Sequence, residues 1–309
     1  QHLMCGVKPY RPSSEDATPM AASTKPREDF IEANGLRFHT REWGEARSKH
    51  AVIMMHGYAE TSDVWLDVGP ELGREFRSMS FDLRGHGQSS YASNQDYSRT
   101  AQVEDLEALV EQIGLRSVTL VGHAMGGANA ICYAAEHPET VSALVLVETA
   151  PEMLRSGMES LRRLVATASD FRSIEEAIEA FRPFYPYATN AQIQRRALAG
   201  LKSENGGYTW DFDPIFRDAT ARPIAPDPGQ RRFHDLWDSA DRLQCPLMII
   251  RGSETDMMTP EAIQRLHRRV IGSRVSLIEE AGHPVPTDQP SMLALNIREF
   301  LQSIANQPA

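Results

Sequence analysis

The stretch VTLVGHAMGGANAICYA, residues 118–134, contains a turn sequence of the kind that positions a catalytic side chain. A run of β-forming residues leads into GHAMGG, and a small, apolar, helix-prone segment follows. This pattern predicts a strand, a sharp turn and a helix, the arrangement in which a G-x-S-x-G sequence presents a serine nucleophile. The serine position holds Ala124, whose side chain has no proton to lose. The stretch therefore predicts a catalytic turn without its nucleophile.

Four other segments place histidine, glycine and acidic residues directly after β-rich runs. They are HGYAE (56–60), DLRGHGQSS (82–90), GSETDMMTP (252–260) and EEAGHPVP (279–286). With the turn around Ala124, all of them fall at predicted carboxyl ends of strands, the edge at which open parallel sheets bind ligands. An imidazole oriented by a carboxylate is the arrangement that activates a hydroxyl nucleophile.

The elements that must position these segments alternate between strand and helix. The segment 100–114 has a single apolar stripe and predicts a helix, as does the end of the chain. Several of the β-rich runs are continuously apolar, as strands buried on both faces are. The runs are LRFHTREW (36–43), AVIMMHG (51–57), SMSFDLRG (78–85), VTLVGHA (118–124), ALVLVET (143–149), LMIIRGS (247–253) and RVSLIEE (274–280). The sequence therefore predicts an α/β fold with a mostly parallel central sheet flanked by helices.

One long interval interrupts this alternation. Between Thr149 and Leu247 there are helical patterns at 158–168, 173–182 and 190–202, but no convincing strand of the sheet. A loop of this length is implausible in a compact domain, so we expect an inserted helical cap. The expected division is a disordered or non-native tail at 1–28, a core at 29–150 and 241–309, and a cap at 151–240.

Composition excludes several classes of function. The net charge of the 309-residue chain is -10, which argues against nucleic acid or an anionic membrane as a partner. Three scattered cysteines, Cys5, Cys132 and Cys245, are too few for a disulfide framework or a Cys-based zinc site, so a reducing, cytoplasmic location is expected. There is no run of roughly 18 apolar residues for a membrane span. No metal or organic cofactor is indicated, and a homodimer is one option for the oligomeric state.

Over about residues 30 to 305, the order of these segments resembles the α/β-hydrolase family, in its serine esterase and lactonase branch. The family's order is an oxyanion-loop HG, the elbow nucleophile, a cap, an acid and a histidine. The resemblance places the nucleophile at Ala124, where serine is expected, the acid at Asp256 and the base at His283. Glu254, on the same loop as Asp256, is the competing candidate for the acid.

The resemblance also implies which residues surround the reacting group. The oxyanion hole is expected from the backbone N–H groups of Tyr58 and Met125. Further substrate-binding residues are expected in the segments that flank these two and among the aromatic residues of the cap. They are His56, Gly57, His123, Phe184, Tyr185 and Trp210. A small apolar or aromatic ester or lactone is the expected substrate.

Alanine at position 124 has three explanations at this stage. The first is that a serine has been replaced to disarm an otherwise complete site. The second is a natural pseudoenzyme that binds a ligand without turnover. The third is that alanine replaces the aspartate nucleophile of a dehalogenase or epoxide hydrolase. The first explanation predicts an inactive Ser-His-Asp ester or lactone hydrolase that still binds substrate. The alternatives are a carbon-carbon bond hydrolase, a dehalogenase or a non-catalytic ligand-binding protein.

Overall fold

The computed structural model describes residues 25–44, 47–48, 50–167, 170–217 and 236–305. Its strands are β1 (Arg27–Ala33), β2 (Leu36–Trp43), β3 (His50–Met55), β4 (Ser78–Phe81), β5 (Ser117–His123), β6 (Val141–Val147), β7 (Asp170–Phe171), β8 (Leu201–Glu204), β9 (Gly207–Trp210), β10 (Leu247–Gly252) and β11 (Arg274–Ile278). Its helices are α1 (Gly69–Leu72), α2 (Arg99–Ile113), α3 (Met125–Glu136), α4 (Arg155–Thr167), α5 (Ile174–Phe181), α6 (Asn190–Gly200), α7 (Leu236–Asp241), α8 (Pro260–Arg269), α9 (Val285–Asp288) and α10 (Pro290–Ala305).

Eight strands form one central sheet in the order β1-β2-β4-β3-β5-β6-β10-β11. The pairs from β4 to β11 are parallel, while β1, β2 and β4 pair antiparallel at one edge. Strands β3, β5, β6 and β10 are almost entirely buried, which explains their continuous apolar sequences. The predicted fold class, a mostly parallel α/β sheet flanked by helices, is confirmed.

Helices bury an apolar face on each side of this sheet. The stripe of α2, with Val103 and Leu106, packs with α3, α7 and α8 in one hydrophobic cluster. The stripe of α10, with Leu293 and Phe300, packs with Trp65 and Leu72 in a second cluster. The central strands are thus covered on both faces, and their carboxyl ends are left to carry polar side chains.

Strand β1 was not predicted, because its sequence REDFIEA was divided between the expected tail and a loop. Its first three residues are exposed, so the strand has little of the apolar pattern by which buried strands are recognised. The expected tail lies mostly outside the described residues, which begin at residue 25, and its last two residues, Arg27 and Glu28, start β1.

The segment between β6 and β10 contains more than the helices that were expected. Helices α4, α5 and α6 overlap the three predicted ones, but β7, β9 and β8 also form a separate antiparallel sheet. The β8–β9 hairpin turns at Asn205 and Gly206, both with positive φ, which is the Asn-Gly signal of a two-residue hairpin. The expected helices are therefore present, together with a small sheet that was not predicted from the sequence. The segment's own hydrophobic cluster includes Phe181 and Trp210.

Candidate active site

Ala124 connects β5 to α3 through a strained turn. Its φ of 47° and ψ of -111° are unusual for a residue with a side chain. The Ala124 N–H donates to the carbonyl oxygen of Val147 at 3.1 Å, which holds the turn against the end of the neighbouring strand β6. The backbone therefore has the geometry that presents a side chain at the carboxyl edge of the sheet, although position 124 carries only a methyl group.

Close approach of backbones explains the glycines around this turn. A Cβ on Gly126 would lie 2.6 Å from the carbonyl oxygen of Met55, so only glycine lets α3 begin this close to β3. The Gly126 N–H also donates to the carbonyl oxygen of His56 at 3.1 Å. These contacts fix the position of the elbow relative to the HGYAE loop.

A histidine and a carboxylate meet beside the elbow. His283, on the loop after β11, has its Nδ1 3.1 Å from Oε2 of Glu148. Glu148 directly follows β6 and is fully buried, and its φ of 52° turns the backbone at the end of that strand. The carboxylate also accepts hydrogen bonds from Gly252 N at 2.7 Å and from Thr255 Oγ1 at 2.6 Å. With Nδ1 donating to Glu148, the Nε2 of His283 is available as a base.

The carboxylate on His283 is therefore not the predicted one. Asp256 is exposed, and within the described residues its carboxylate has no hydrogen bond with His283. Its loop instead contributes Gly252 and Thr255, which hold Glu148 in place. Glu254, the other candidate acid, is also exposed. The end of β10 and the loop after it thus hold Glu148, at the end of the neighbouring strand β6, against His283. The sequence predicts Asp256 as the partner of His283, whereas the structure has Glu148 in that position.

The backbone N–H groups of Met125 and Tyr58 are the candidates for an oxyanion hole. Met125 is the first residue of α3, where N–H groups have no partner within the helix. Tyr58 follows Gly57, and a Cβ on Gly57 would lie 3.2 Å from the Cβ of Ala124. Within the described residues, neither N–H donates a hydrogen bond to protein. Both residues therefore lie next to the elbow with a backbone donor available.

His56 is placed differently from the prediction. It is fully buried, its Nδ1 lies 2.8 Å from the carbonyl oxygen of Gly57, and its Nε2 accepts from Leu83 N at 2.9 Å. Because both ring nitrogens are already bonded, His56 fixes the loop and does not line the cavity described below. The expectation of His56 as a substrate-binding residue was wrong for this reason.

His123 and Glu60 form a second buried histidine–carboxylate pair. His123 Nδ1 lies 2.7 Å from Glu60 Oε2, and His123 Nε2 lies 3.0 Å from the carbonyl oxygen of His283. Burial by itself lowers the pKa of His123, but the Glu60 carboxylate outweighs burial and raises it. Glu60 also accepts from Gly57 N at 2.7 Å. The pair thereby connects the oxyanion loop, the elbow and the loop of His283.

A cavity of about 900 Å³ lies over this site, within the range of small-molecule sites. Apart from His56, all of the predicted site residues line it, Asp256 included. They are Gly57, Tyr58, His123, Ala124, Met125, Phe184, Tyr185, Trp210, Asp256 and His283. The structure thus brings the elbow, His283 and aromatic residues from between β6 and β10 together around one space.

Sequence reasoning missed Glu148, although a signal for it was present. Glu148 ends the run ALVLVET, which was interpreted as strand throughout. Of the runs from the second to the seventh, this is the one whose carboxyl end carries none of the five segments that point to a site. An acidic residue at that end, next to the elbow strand, was a candidate on the sheet-edge argument alone. Glu60 was missed because only the first three residues of the HGYAE loop, His56, Gly57 and Tyr58, were predicted to belong to the site.

Solved structures share this architecture over nearly the whole chain. E-2-(acetamidomethylene)succinate hydrolase superposes with a TM-score of 0.78 at 22% identity, covering 90% of this chain and 99% of that one. An α/β hydrolase from Novosphingobium aromaticivorans gives a TM-score of 0.78 at 25% identity, covering 90% of this chain and 98% of that one.

Curated relatives are esterases, lipases and related enzymes. An esterase of Mycobacterium tuberculosis is 28% identical, covering 84% of this chain and 85% of the esterase. A putative 2-succinyl-6-hydroxy-2,4-cyclohexadiene-1-carboxylate synthase of Bacillus subtilis is 28% identical, covering 88% of this chain and 97% of that protein. Human monoacylglycerol lipase ABHD6 is 25% identical, covering 85% of this chain and 78% of the lipase.

No helix in the described part of the chain combines the length and apolarity needed to cross a bilayer.

Residues 50–290 match the sequence profile of the α/β-hydrolase fold. Together with the strand order and the elbow, this match shows that the chain belongs to the α/β-hydrolase family.

Proposed function

We propose that this protein is a hydrolase of carboxylic esters or lactones whose reaction requires a serine where Ala124 stands, with His283 as the base and Glu148 as the acid. The observation that supports this proposal is the 3.1 Å contact between His283 Nδ1 and Glu148 Oε2, beside a turn with elbow geometry. A buried carboxylate on Nδ1 orients the imidazole and stabilises its protonated form. This part of the machinery is complete without the nucleophile.

With serine at position 124, the reaction has two stages. The serine Oγ attacks the carbonyl carbon while His283 Nε2 takes its proton, and the N–H groups of Tyr58 and Met125 bind the oxyanion. The protonated His283 then gives the proton to the leaving alcohol. Water, deprotonated by His283, hydrolyses the acyl-enzyme and regenerates the serine.

With alanine at position 124, no acyl-enzyme can form. Loss of a triad nucleophile costs on the order of 10⁶ in turnover, and the oxyanion hole and substrate binding leave a small residual rate. A methyl group is smaller than the side chain of serine, so alanine at position 124 does not obstruct the cavity. We therefore expect the chain to bind its substrate while turning it over very slowly.

The test is mass spectrometry of the protein and its Ala124→Ser variant after treatment with a fluorophosphonate, which phosphonylates activated serines with loss of fluoride. We expect an adduct at residue 124 of the variant alone. The matched control is the double variant Ala124→Ser, His283→Gln, which keeps the serine and removes the base, and which we expect to react far more slowly. Absence of an adduct in the single variant contradicts the proposal.

A second candidate function is ligand binding without catalysis, and the alanine itself favours it. A natural binding protein would keep the 900 Å³ cavity and need no nucleophile. This candidate predicts that Ala124→Ser neither reacts with the fluorophosphonate nor hydrolyses short aryl esters. If an Ala124→Asp variant instead hydrolyses a haloalkane or an epoxide, the aspartate-nucleophile alternative gains support.

A further inference from the structure

Arg196 is a buried cation in the wall of the cavity. It lies on α6 and is 5% exposed. Its Nε donates to the hydroxyl of Tyr185 at 3.1 Å and its Nη2 to the carbonyl oxygen of Ala59 at 3.3 Å. Its Nη1 has no acceptor within the described residues. A buried guanidinium group that leaves a donor unused loses the hydration of that donor without replacement.

The charge of Arg196 is not balanced by the carboxylate near it. That carboxylate, Glu60, is paired with His123, whose two ring nitrogens both face acceptors, Glu60 Oε2 and the carbonyl oxygen of His283. Both nitrogens must therefore carry a proton, and His123 is an imidazolium ion. Because His123 neutralises Glu60, the buried group of Glu60, His123 and Arg196 has a net charge of +1.

Two other carboxylates are already engaged. Asp63 is near enough to Arg196 to stabilise its charge, but its ion pair, at 3.1 Å, is with Arg41, which also pairs with Glu28 at 3.2 Å. Glu148 accepts three hydrogen bonds, from Gly252, Thr255 and His283. Within the described residues, neither contacts the guanidinium group of Arg196. The unused Nη1 donor of Arg196 is therefore available to a ligand.

Tyr185 adds a second donor at the same place. Its hydroxyl oxygen accepts from Arg196 Nε, so its own proton can be donated elsewhere, and within the described residues no protein acceptor receives it. Tyr185 also lines the cavity. The arginine N–H group is a charged donor and the phenol O–H group is a neutral one. A carboxylate can accept a hydrogen bond from each of them.

We propose that the cavity takes acyl compounds with a second, free carboxylate, which binds to Arg196 and Tyr185. One unbalanced positive charge matches a carboxylate better than a doubly charged phosphate ester. Arg196 donates to Ala59, which directly follows the oxyanion residue Tyr58, so only a few atoms should separate the carboxylate from the reacting carbonyl. The inference rests on the proposed function only in placing that carbonyl at position 124.

The test measures binding to the protein with Ala124 in place, and so needs no turnover. Monoethyl succinate, with one free carboxylate, and diethyl succinate, with none, are compared by calorimetry at low salt. We expect the half-ester to bind at least tenfold more tightly. Equal affinities, or no binding of either ester, overturn the inference, whereas fluorophosphonate labelling of Ala124→Ser would still support the proposed function.

Three variants locate the preference. Arg196→Gln should abolish it, and Tyr185→Phe, which removes only a hydroxyl, should reduce it severalfold. Arg195→Gln is the matched control, since Arg195 is the neighbouring arginine on α6 but is exposed and paired with Asp67. We expect Arg195→Gln to keep the preference. If Arg196→Gln does not fold, Tyr185→Phe decides: an unchanged preference in that variant, or inorganic phosphate displacing the half-ester at equal concentration, contradicts a carboxylate site.

Discussion

Glu148 Oε2 and His283 Nδ1 lie 3.1 Å apart, although β6 and β11, whose ends carry these residues, are separated in the sheet by β10. The bond is possible because the carboxylate is held in place by the N–H group of Gly252, the last residue of β10, and by the hydroxyl of Thr255 in the loop that follows. Three neighbouring strand ends thus combine to hold one imidazole. The first prediction concerns this carboxylate.

In the Ala124→Ser background, Glu148→Gln should lower kcat for a short aryl ester by about 10³- to 10⁴-fold. An amide cannot stabilise the protonated imidazole and can favour the wrong tautomer. Asp256→Asn, a matched change of an exposed carboxylate in the same cavity, should leave kcat within about threefold. Steady-state kinetics of the two variants distinguish Glu148 from Asp256, and a larger loss in Asp256→Asn would restore the acid predicted from the sequence.

Glu60→Gln should destabilise the fold by about 3 kcal/mol, because removing one partner of a buried ion pair leaves the other charge unpaired. The free energy of unfolding in urea measures this effect. Glu254→Gln is the control, since Glu254 lines the same cavity but is exposed, and it should change stability by less than about 0.5 kcal/mol. Equal effects of the two changes would argue against a charged His123.

The destabilisation by Glu60→Gln should depend on pH in a defined direction. Glu60 is buried, yet its bonds to His123 and Gly57 hold its pKa below 4.5, so its contribution to stability is lost at low pH. Glu60 raises the pKa of His123 above 6.5 despite burial, so that contribution is lost as pH rises through the raised value. Urea titrations at several pH values should therefore find the largest difference in unfolding free energy between the protein and Glu60→Gln at about pH 4.5 to 6.5. A difference that does not change with pH would contradict the ion pair between Glu60 and His123.

Asp288→Asn should stabilise the protein at pH 7.5. Burial raises the pKa of Asp288 to about 6 from its ordinary value of 3.8, although Gly282 N donates to its carboxylate at 2.9 Å. The folded protein keeps this proton over a range in which the unfolded chain has lost it, so stability falls as pH rises through that range. Asparagine removes the buried negative charge, so the free energy of unfolding should rise by on the order of 2 kcal/mol at pH 7.5.

The gain from Asp288→Asn should shrink as pH falls towards 4, where the aspartate is protonated in the folded protein. Thermal unfolding at several pH values measures it. Asp256→Asn is the control, since an exposed carboxylate should give little change at any of these values. A gain of the same size at pH 4 and pH 7.5 would show that charge is not the cause.

Ala124→Gly should stabilise the fold by about 1 kcal/mol, because glycine adopts positive φ without the strain that a Cβ introduces. Ala108→Gly, within α2, should do the opposite by a similar amount, since glycine in a helix costs conformational entropy. Chemical denaturation of both variants measures the difference. Destabilisation by Ala124→Gly would mean that the strain at the elbow is small.

The sequence by itself determined the parallel part of the sheet, the elbow and the position of the loop that carries His283. Continuous apolar runs can be read locally, because a strand buried on both faces needs apolar side chains at every position. Gly126 is likewise required by a local crossing of backbones, and its place in the turn identifies position 124. His283 follows a strand and a glycine, so chain order alone brings it to the carboxyl edge.

Only the tertiary structure decided which carboxylate His283 meets and which charged groups surround Arg196. Asp256 and Glu148 both follow strands, and the choice depends on a backbone turn at Glu148 and on donors from a third loop. The buried group of Glu60, His123 and Arg196 combines a core loop, the elbow and a helix that are far apart in the chain. Such contacts depend on distances between elements that no local pattern encodes.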